Sequence, residues 1–424
     1  MPTLLPEEQR RFAGAVVCRL REAGFEAYWA GGCVRDQLLG RPPKDYDVAT
    51  NATPPQIRQL FGQKRTLAIG AAFGVITVLG PSGAGMVEVA TFRQDAAYSD
   101  GRHPDHVIFT SAKEDALRRD FTINGLFYDP VAERVIDFVG GQADLASRVI
   151  RAIGRPQERF AEDKLRMLRA VRFSATFDFA LEAETQAAIR QMAEQITMVS
   201  PERIAMELRR MLVEPGRAAA IGLLLETGLA ATILPEVVPA DDAQRSRLDR
   251  ALAMLQRLPQ PGFPLALATL LHELVDAAGA AAIGARWRLS NKETDRVVWL
   301  VEHHAALREA RTMRWSTLQP LLIAEGIADL LAMEEAASSG GSDAAAYCRS
   351  LLQQPREVLD PPPLIGGEDL LAHGVPPGPA YRLLLEHVRR AQLDGDIHSK
   401  AEALALVDRL LEEGGRRRAV GGGQ

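Results

Sequence analysis

The chain has 424 residues, 47% of them hydrophobic and 25% charged, so it is long enough to bury ordinary cores and is neither disordered nor fibrous. Its 50 Lys and Arg residues against 55 Asp and Glu residues give a net charge of −5, which excludes a chain-wide basic field for non-specific nucleic-acid binding. Its three cysteines are far apart and lack zinc-site spacing, so we expect a reducing, cytoplasmic setting. The sequence has neither a secretory pattern nor a long uncharged apolar run, and we expect no membrane contact.

The elements, taken in chain order, divide the sequence into a mixed first part and a helical remainder. Within about the first 145 residues, short β-type runs bounded by Gly, Pro and Asn alternate with helical patterns. The predicted strands are 25–30, 45–48, 73–79, 86–90 and 134–138, and the predicted helices are 6–23, 33–40, 54–61 and 114–126. Because the strands are short and are not each followed by a long helix, we predict an α+β fold with a small mixed or antiparallel sheet.

A glycine pair lies between the first predicted strand and the second predicted helix. Gly31 and Gly32 would let the backbone approach a phosphate closely, and Arg35 adds a planar guanidinium one turn later. Taken alone, such a pair is more often an ordinary turn than a phosphate site.

Two carboxylates follow the glycine pair. Asp45 and Asp47 are two apart on a predicted strand, so they would share a face and could bind one hard cation. Glu88, in an apolar predicted strand, is equally well explained as a third carboxylate or as a solvent-facing residue. Asp394 and Asp396 have the same spacing without a glycine turn nearby, and we interpret them as part of a solvated loop.

The segment 118–124 carries polar residues on a predicted helix. Asp120 and Asn124 are one turn apart and Arg119 flanks them. Their common face could bind ribose hydroxyls and phosphate, although an exposed polar face with a local ion pair is the simpler interpretation.

The segment 162–173 lies in residues 146–217, which carry a net charge of +3 while the chain on either side is acidic. Asp163 precedes Arg166 by three residues, and Arg169 follows one turn later. An acceptor beside such donors can pair with the edge of a base, and the usual alternative is a surface ion pair.

In this order and spacing, six segments between about Tyr28 and Leu212 resemble the class II tRNA nucleotidyltransferases and bacterial poly(A) polymerases, a family within the DNA polymerase beta superfamily. The segments are 31–36 (GGCVRD), 44–50 (KDYDVAT), 88–93 (EVATFR), 118–124 (RRDFTIN), 162–166 (EDKLR) and 202–207 (ERIAME). The resemblance implies a nucleotidyltransferase head over residues 1–145 followed by three helical parts. These are a neck with the base-reading motif over 146–217, a body over 218–335 and an RNA-binding tail over 336–424.

The resemblance also implies roles for the matched residues. Mg²⁺ would be bound by Asp45 and Asp47, with Glu88 as a further candidate ligand. The implied nucleotide-binding residues are Gly31, Gly32, Arg35, Arg119, Asp120, Asn124, Asp163, Arg166 and Arg169. Glu202, Arg203 and Glu207 match a supporting neck motif, which we interpret as positioning the base-reading helix.

The activity that the resemblance implies is template-independent addition of CCA to the 3′ end of tRNA from CTP and ATP, by a monomer or weak dimer. Addition of A alone, poly(A) addition and a catalytically silent tRNA-binding protein are the alternatives. Residues 95–104 resemble a flexible loop that CCA-adding and A-adding members keep, and the end of the chain lacks a long basic extension of the poly(A) polymerase kind. Both features favour CCA addition.

Two departures from the family pattern are visible. Gly125 stands where members commonly have Ala, which loosens a helix at that point. In the body, His272 is followed by Glu273 where a phosphohydrolase metal site would need Asp. We therefore interpret this degenerate HD-like region and its histidines as structural.

Overall fold

The computed structural model describes residues 6–95, 107–338 and 341–421. Most of the predicted flexible loop, residues 96–104, lies outside the described residues, and its role stays a prediction. The described residues form two compact units. The first runs up to Arg245 and includes Ala285–Leu289, and the second consists of Ser246–Gly284 and the residues from Ser290 onward. The division into head, neck, body and tail stays a prediction.

The first unit contains a seven-stranded mixed sheet, which confirms the predicted fold class. The strands of the chain are β1 (Ala27–Ala30), β2 (Asp47–Thr50), β3 (Thr66–Leu67), β4 (Val75–Leu79), β5 (Met86–Thr91), β6 (Arg93–Asp95), β7 (Val107–Phe109), β8 (Phe127–Asp129), β9 (Arg134–Ile136), β10 (Val149–Ile150) and β11 (Ala180–Leu181). The sheet order is β3-β4-β5-β2-β1-β8-β9, in which β2 and β5 are parallel and the other neighbours antiparallel. β6 pairs with β7, and β10 pairs with β11 inside the predicted neck. The prediction that the neck is entirely helical is therefore wrong at β10 and β11.

Helices dominate the rest of the chain. The earlier ones are α1 (Pro6–Glu22), α2 (Gly32–Leu38), α3 (Pro54–Phe61), α4 (Ala112–Leu117), α5 (Gly141–Ser147), α6 (Pro156–Glu162), α7 (Leu165–Phe177), α8 (Ala183–Met192), α9 (Pro201–Val213), α10 (Arg217–Glu226) and α11 (Leu229–Ile233). The later ones are α12 (Asp242–Arg257), α13 (Phe263–Leu271), α14 (Ala277–Arg286), α15 (Asn291–His303), α16 (Trp315–Leu322), α17 (Ile327–Ala337), α18 (Asp343–Leu351), α19 (Arg356–Leu359), α20 (Gly367–Ala372), α21 (Ala380–Asp394) and α22 (Lys400–Gly421). None of the described helices is long and apolar enough to cross a membrane.

The register of the two central strands brings two sequence motifs to one end of the sheet. Trp29 of β1 is the partner of Val48 of β2, so Ala30 at the end of β1 lies opposite Asp47 at the start of β2. Trp29 is buried and its ring contacts Tyr46, which anchors the approach to β2. The glycine turn that follows β1 and the carboxylates around Asp47 therefore emerge side by side.

The predicted helix over residues 114–126 is correct as far as Leu117 and wrong beyond it. α4 ends at Leu117, and a turn and a short 3₁₀ helix (Thr122–Asn124) follow. The Asp120 carboxylate accepts the backbone N–H of Phe121 at 2.8 Å, and the N–H of Thr122 goes to the carbonyl of Arg151. A side chain that captures the next backbone N–H competes directly with the helical hydrogen bond, so the helix stops before this segment.

Candidate functional site

Two arginines lie at the glycine turn, Arg119 against the backbone of Gly31 and Arg35 within α2. Gly31 precedes α2 with a φ of 71°, and a Cβ atom there would lie 2.7 Å from Nη1 of Arg119. Arg35, buried one turn into α2, donates from Nη1 to Oδ1 of Asn124 at 2.6 Å and from Nε to Oδ1 of Asp36 at 2.8 Å. The turn therefore lies beside two guanidinium groups, which form strong, often bidentate hydrogen bonds with phosphate oxygens.

Three carboxylates surround the start of β2. Asp45 lies just before the strand, so its predicted place on the strand is wrong, and Asp47 is the first strand residue. Asp47 and Glu88 are partners in the parallel β2–β5 pair, which puts both side chains on the same face of the sheet. Burial, followed by the charges of Asp45 and Glu88, raises the pKa of Asp47 to about 7. The charge of Arg119 opposes this rise in the pKa of Asp47 but does not outweigh burial and the two carboxylates.

The Arg118–Arg119 pair is held by a buried carboxylate that the sequence analysis missed. Asp115 in α4 accepts from Nη2 of Arg118 at 2.8 Å and from Nη2 of Arg119 at 3.0 Å. Burial opposes ionisation of Asp115, but the two arginines outweigh it and lower its pKa. The signal was present in the sequence as an acidic residue three and four positions before two arginines.

Asp120 and Asn124 meet as predicted, although through a turn and not along an α-helix. Nδ2 of Asn124 donates to Oδ1 of Asp120 at 3.0 Å, and Arg169 of α7 donates to Oδ2 at 2.5 and 2.9 Å. Burial alone would raise the pKa of Asp120, but Arg169 and the Asn124 amide outweigh it and lower the pKa to about 2. Asp120 is thus a fixed anion that joins the head segment to α7.

The two predicted base-reading residues lie beside each other at the start of α7, each with its own partner. Asp163 stands between α6 and α7, where Oδ1 accepts the N–H of Leu165 at 3.0 Å and Oδ2 accepts from Arg203 at 2.8 Å. Arg166 donates from Nη1 to Glu162 at 2.6 Å. Among the described contacts these two residues do not form the local ion pair that was the alternative interpretation.

The predicted supporting motif divides into two parts. Arg203 holds Asp163, and Glu207, also on α9, is buried and accepts from Arg172 at 2.6 Å while lying 4.0 Å from Arg169. Glu202 is half exposed and pairs with Arg288 at 2.7 Å. Arg203 and Glu207 therefore contact the helix start and α7 as predicted, whereas Glu202 does not.

An aromatic side chain of α7 lies beneath the arginines and was also missed. The Phe173 ring is 4.2 Å from the guanidinium of Arg172 and 5.3 Å from those of Arg35 and Arg169. Phe177, one turn later, stacks on Phe173 and lies 4.6 Å from Arg35. Ring faces attract cations, so the two phenylalanines keep like-charged groups together without neutralising them.

One cavity of about 430 Å³ collects these groups. Its lining residues are Gly31, Gly32, Arg35, Asp47, Arg118, Arg119, Asp120, Asn124, Asp163, Arg166, Arg169 and Phe173. Every predicted nucleotide-binding residue lines the cavity, together with Asp47. Asp45, Glu88, Arg203 and Glu207 interact with lining residues from outside, and Glu202 lies elsewhere.

Three other groups that the sequence offers for chemistry, Cys33, His272 and Asp394, are held by burial or by hydrogen bonds within the fold. Burial raises the pKa of the Cys33 thiol, beside the glycine turn, to about 12, so Cys33 is not a nucleophile. In the HD-like region His272 is buried and its Nδ1 lies 2.7 Å from the carbonyl of Thr269, while Glu273 pairs with Arg250. Asp394 is largely buried and accepts from Ser316, so its interpretation as a solvated loop residue is wrong.

Two family models match the chain. The one described as "Poly A polymerase head domain" matches residues 27–151, and the one described as "Probable RNA and SrmB- binding site of polymerase A" matches residues 178–240. The first covers the sheet, the glycine turn and the carboxylates, and the second begins directly after α7.

The chain is also similar to whole proteins. A CCA-adding enzyme of Lactiplantibacillus plantarum is 34% identical over 97% of this chain and 98% of that protein, and one of Lactobacillus gasseri is 36% identical over 92% and 94%. Among solved structures, the CCA-adding enzyme of Bacillus stearothermophilus in complex with CTP has a TM-score of 0.77 and 29% identity, covering 96% of this chain and 99% of that one. The similarity extends over nearly the whole of each protein.

Proposed function

We propose that this chain, which belongs to the family of CCA-adding enzymes, adds C, C and A to the 3′ end of tRNA, using CTP and ATP. The observation that carries the proposal is the cavity that Asp47, the arginines at the glycine turn, and Asp163 with Arg166 line together. A relative that shares the fold at 29% identity was solved with CTP bound. The chain is accordingly a nucleotidyltransferase, and a cytoplasmic location and a monomer or weak dimer stay predictions.

The reaction joins the terminal 3′-oxygen of the RNA to the α-phosphorus of the incoming nucleotide, while pyrophosphate leaves on the opposite side. Arg35 and Arg119, at the glycine turn, would bind and orient the triphosphate, because guanidinium groups pair with phosphate oxygens through two donors. Asp115 and the Phe173 ring fix the direction of these cations. No covalent intermediate is needed, in keeping with the buried neutral thiol of Cys33.

CCA-adding enzymes generally need a divalent metal ion, and we propose Mg²⁺ at Asp45 and Asp47. The donor set fits, because carboxylate oxygens suit Mg²⁺, which often takes one or two carboxylates and completes its shell with phosphates and water. Among the described residues no three His, Cys, Asp or Glu side chains lie close enough to hold a metal by themselves, so nucleotide phosphates would complete the site, with Glu88 beside it. When bound, the metal lowers the pKa of the attacking hydroxyl and offsets charge on the leaving oxygens.

Selection of the base falls to Asp163 and Arg166. Asp163 offers acceptor lone pairs not used by Arg203 and Leu165, and Arg166 offers guanidinium N–H donors. An acceptor and a donor side by side can pair with the complementary edge of cytosine or adenine. Arg203 keeps Asp163 in place for this purpose.

The test uses purified protein, Mg²⁺ and tRNA transcripts that end before CCA, after C and after CC, supplied with CTP, ATP or both, followed by sequencing of the 3′ ends. Ordered addition that stops at CCA is the expected result. A single A added only to the CC-ended transcript would identify an A-adding enzyme, and long A runs on any RNA a poly(A) polymerase. Absence of incorporation would identify a silent binding protein.

The metal assignment has its own test in Asp47→Ala. The variant should lose nucleotide incorporation by more than about a thousandfold while keeping its fold, because Asp47 is the proposed metal ligand that lines the cavity. Asp396→Ala, at the exposed end of the second Asp-x-Asp sequence, is the matched control and should leave incorporation unchanged. Near-normal incorporation by folded Asp47→Ala would contradict the assignment.

A further inference from the structure

Arg159, on α6, contacts three different segments around the cavity without lining it. Its Nε donates to the carbonyl of Ile153 at 2.9 Å, and its Nη1 donates to both carboxylate oxygens of Glu162 at 3.0 and 3.1 Å. Its Nη2 donates to the carbonyl of Leu117, the last residue of α4. Each nitrogen of the guanidinium therefore has a separate acceptor.

The carbonyl of Leu117 is available because α4 stops there. The N–H of Phe121, which would bond to it in a continuing helix, goes to the Asp120 carboxylate. The N–H of Thr122, four residues after Arg118, likewise goes to the carbonyl of Arg151. Carbonyls at a helix end favour cationic donors. Arg159 takes the first carbonyl and Arg166 approaches the second at 3.4 Å.

Glu162 connects the two arginines. Its Oε2 accepts from Nη1 of Arg159 at 3.0 Å and from Nη1 of Arg166 at 2.6 Å. Arg166 also donates to the carbonyl of Arg159 at 3.2 Å. The direction of the Arg166 guanidinium therefore depends on Glu162, whose own position is fixed by Arg159.

We infer that Arg159 is a positioning residue for nucleotide selection: it fixes the base-reading guanidinium of Arg166 relative to the end of α4 that carries Arg118 and Arg119. The inference rests on the proposed function. A base that pairs correctly with Asp163 and Arg166 then brings its α-phosphate to the arginines in one geometry, and a base that pairs badly does not. Displacement of reacting groups by about 1 Å can cost about a hundredfold in rate, so a fixed distance between the two sites converts base pairing into selectivity.

Only arginine can fill this place. Lysine has a single nitrogen at the end of a flexible chain and can keep the Glu162 ion pair, but it cannot reach Ile153 and Leu117 at the same time. Arg159→Lys therefore keeps the positive charge at residue 159 but loses the hydrogen bonds that need three separate nitrogens. Arg159→Met removes both.

The experiment measures single-turnover incorporation of CTP, UTP, ATP and GTP on transcripts that end before CCA and after CC, with the full chain and Mg²⁺. In Arg159→Met we expect the selectivity for CTP over UTP and for ATP over GTP to fall by about tenfold or more, mainly through a higher KM for the correct nucleotide. Arg159→Lys should give an intermediate loss. The Mg²⁺ dependence should not change.

The matched control is Arg155→Met, which removes an exposed arginine that lies directly before α6 and pairs with the exposed Glu158. It should behave as wild type. A purely structural role for Arg159 would lower the incorporation of all four nucleotides equally, and selectivity within twofold of wild type in folded Arg159→Met would overturn the inference. If Arg159→Met does not fold, Arg159→Lys decides by the same criterion. If the proposed function itself is wrong, the wild-type protein will not add CCA, and this result is distinct from any change seen only in the Arg159 variants.

Discussion

The absence of a Cβ atom at Gly31 allows the glycine turn to lie close to the Arg119 guanidinium. Gly31→Ala would place a methyl group 2.7 Å from Nη1 of Arg119, and the residue has a φ of 71°. We expect this variant to weaken CTP binding by about tenfold or more, because the displaced guanidinium no longer faces the triphosphate. Gly40→Ala has a similar φ of 67° but meets no atom within 4 Å, so it carries the backbone strain without the collision. Calorimetric titration with CTP should show normal affinity for the control, and equal losses in both variants would contradict this explanation.

Asp120 contributes a stability that depends on pH. Its pKa is about 2 in the folded protein against an ordinary 3.8, so the contribution is complete above about pH 4 and is lost as pH falls towards 2. Asp120→Asn removes the nearer carboxylate of the partly buried Arg169 and leaves Glu207 4.0 Å away. We expect the first unit to lose about 2 to 3 kcal/mol near neutral pH, with a smaller deficit at pH 3. Thermal unfolding of both proteins from pH 3 to pH 7 measures this difference.

The control for Asp120 is Asp178→Asn, which breaks the Arg148 pair of a side chain that is 95% exposed. Exposed ion pairs contribute little, so this variant should unfold like wild type at every pH. A deficit in Asp120→Asn that stays constant from pH 7 to pH 3 would show that the carboxylate is not the titrating group.

At the scale of elements, the packing of α9 against α7 depends on one buried carboxylate. Glu207 accepts from Arg172 at 2.6 Å and from Arg210 at 3.2 Å. Glu207→Gln leaves these arginines under-compensated, and we expect a loss of about 3 kcal/mol in stability together with a higher KM for both nucleotides. Thermal unfolding and steady-state kinetics measure the two effects.

Glu202→Gln is the matched control, since Glu202 lies on the same helix and its half-exposed carboxylate pairs with Arg288. It should unfold close to wild type and leave KM unchanged. If Glu202→Gln raised KM as much as Glu207→Gln, the neck motif would act as a whole and the division seen in the contacts would be irrelevant to nucleotide binding.

Local patterns predicted those elements that local interactions determine. The helices at 6–23 and 54–61 and the strand at 86–90 follow from hydrophobic periodicity and turn residues, and the structure has α1, α3 and β5 there within one residue at each end. The helix over 114–126 failed because periodicity cannot show that the Asp120 side chain captures the N–H of Phe121. Glu202 and Glu207 look equivalent in the sequence, and only the packing of α9 on α7 decides which one is buried.

The site residues also divide into those that local sequence patterns can predict and those that depend on contacts between distant segments. Asp47 and Glu88 belong to strands that are far apart in sequence, and their partnership depends on a parallel pairing that no local signal specifies. Arg159 was missed because its acceptors at Leu117 and Ile153 are backbone carbonyls, which leave no trace in the side-chain pattern. Long-range hydrogen bonds to the backbone are therefore the part of the site that required the structure.

For the whole molecule, all residues that line the proposed nucleotide-binding cavity belong to the first of the two compact units. Binding of CTP with Mg²⁺ should therefore slow amide hydrogen exchange in the first unit, in peptides covering 31–38, 118–124 and 163–173, and leave peptides of α15 and α21 unchanged. Inorganic tripolyphosphate is the control ligand, because it can engage the arginines but has no base. It should protect 31–38 and 118–124, and protect 163–173 less than CTP does, since only the cavity-lining arginines of that segment can contact it. Equal protection of 163–173 by both ligands would show that this segment responds to phosphate and would refute its assignment as the base-reading element.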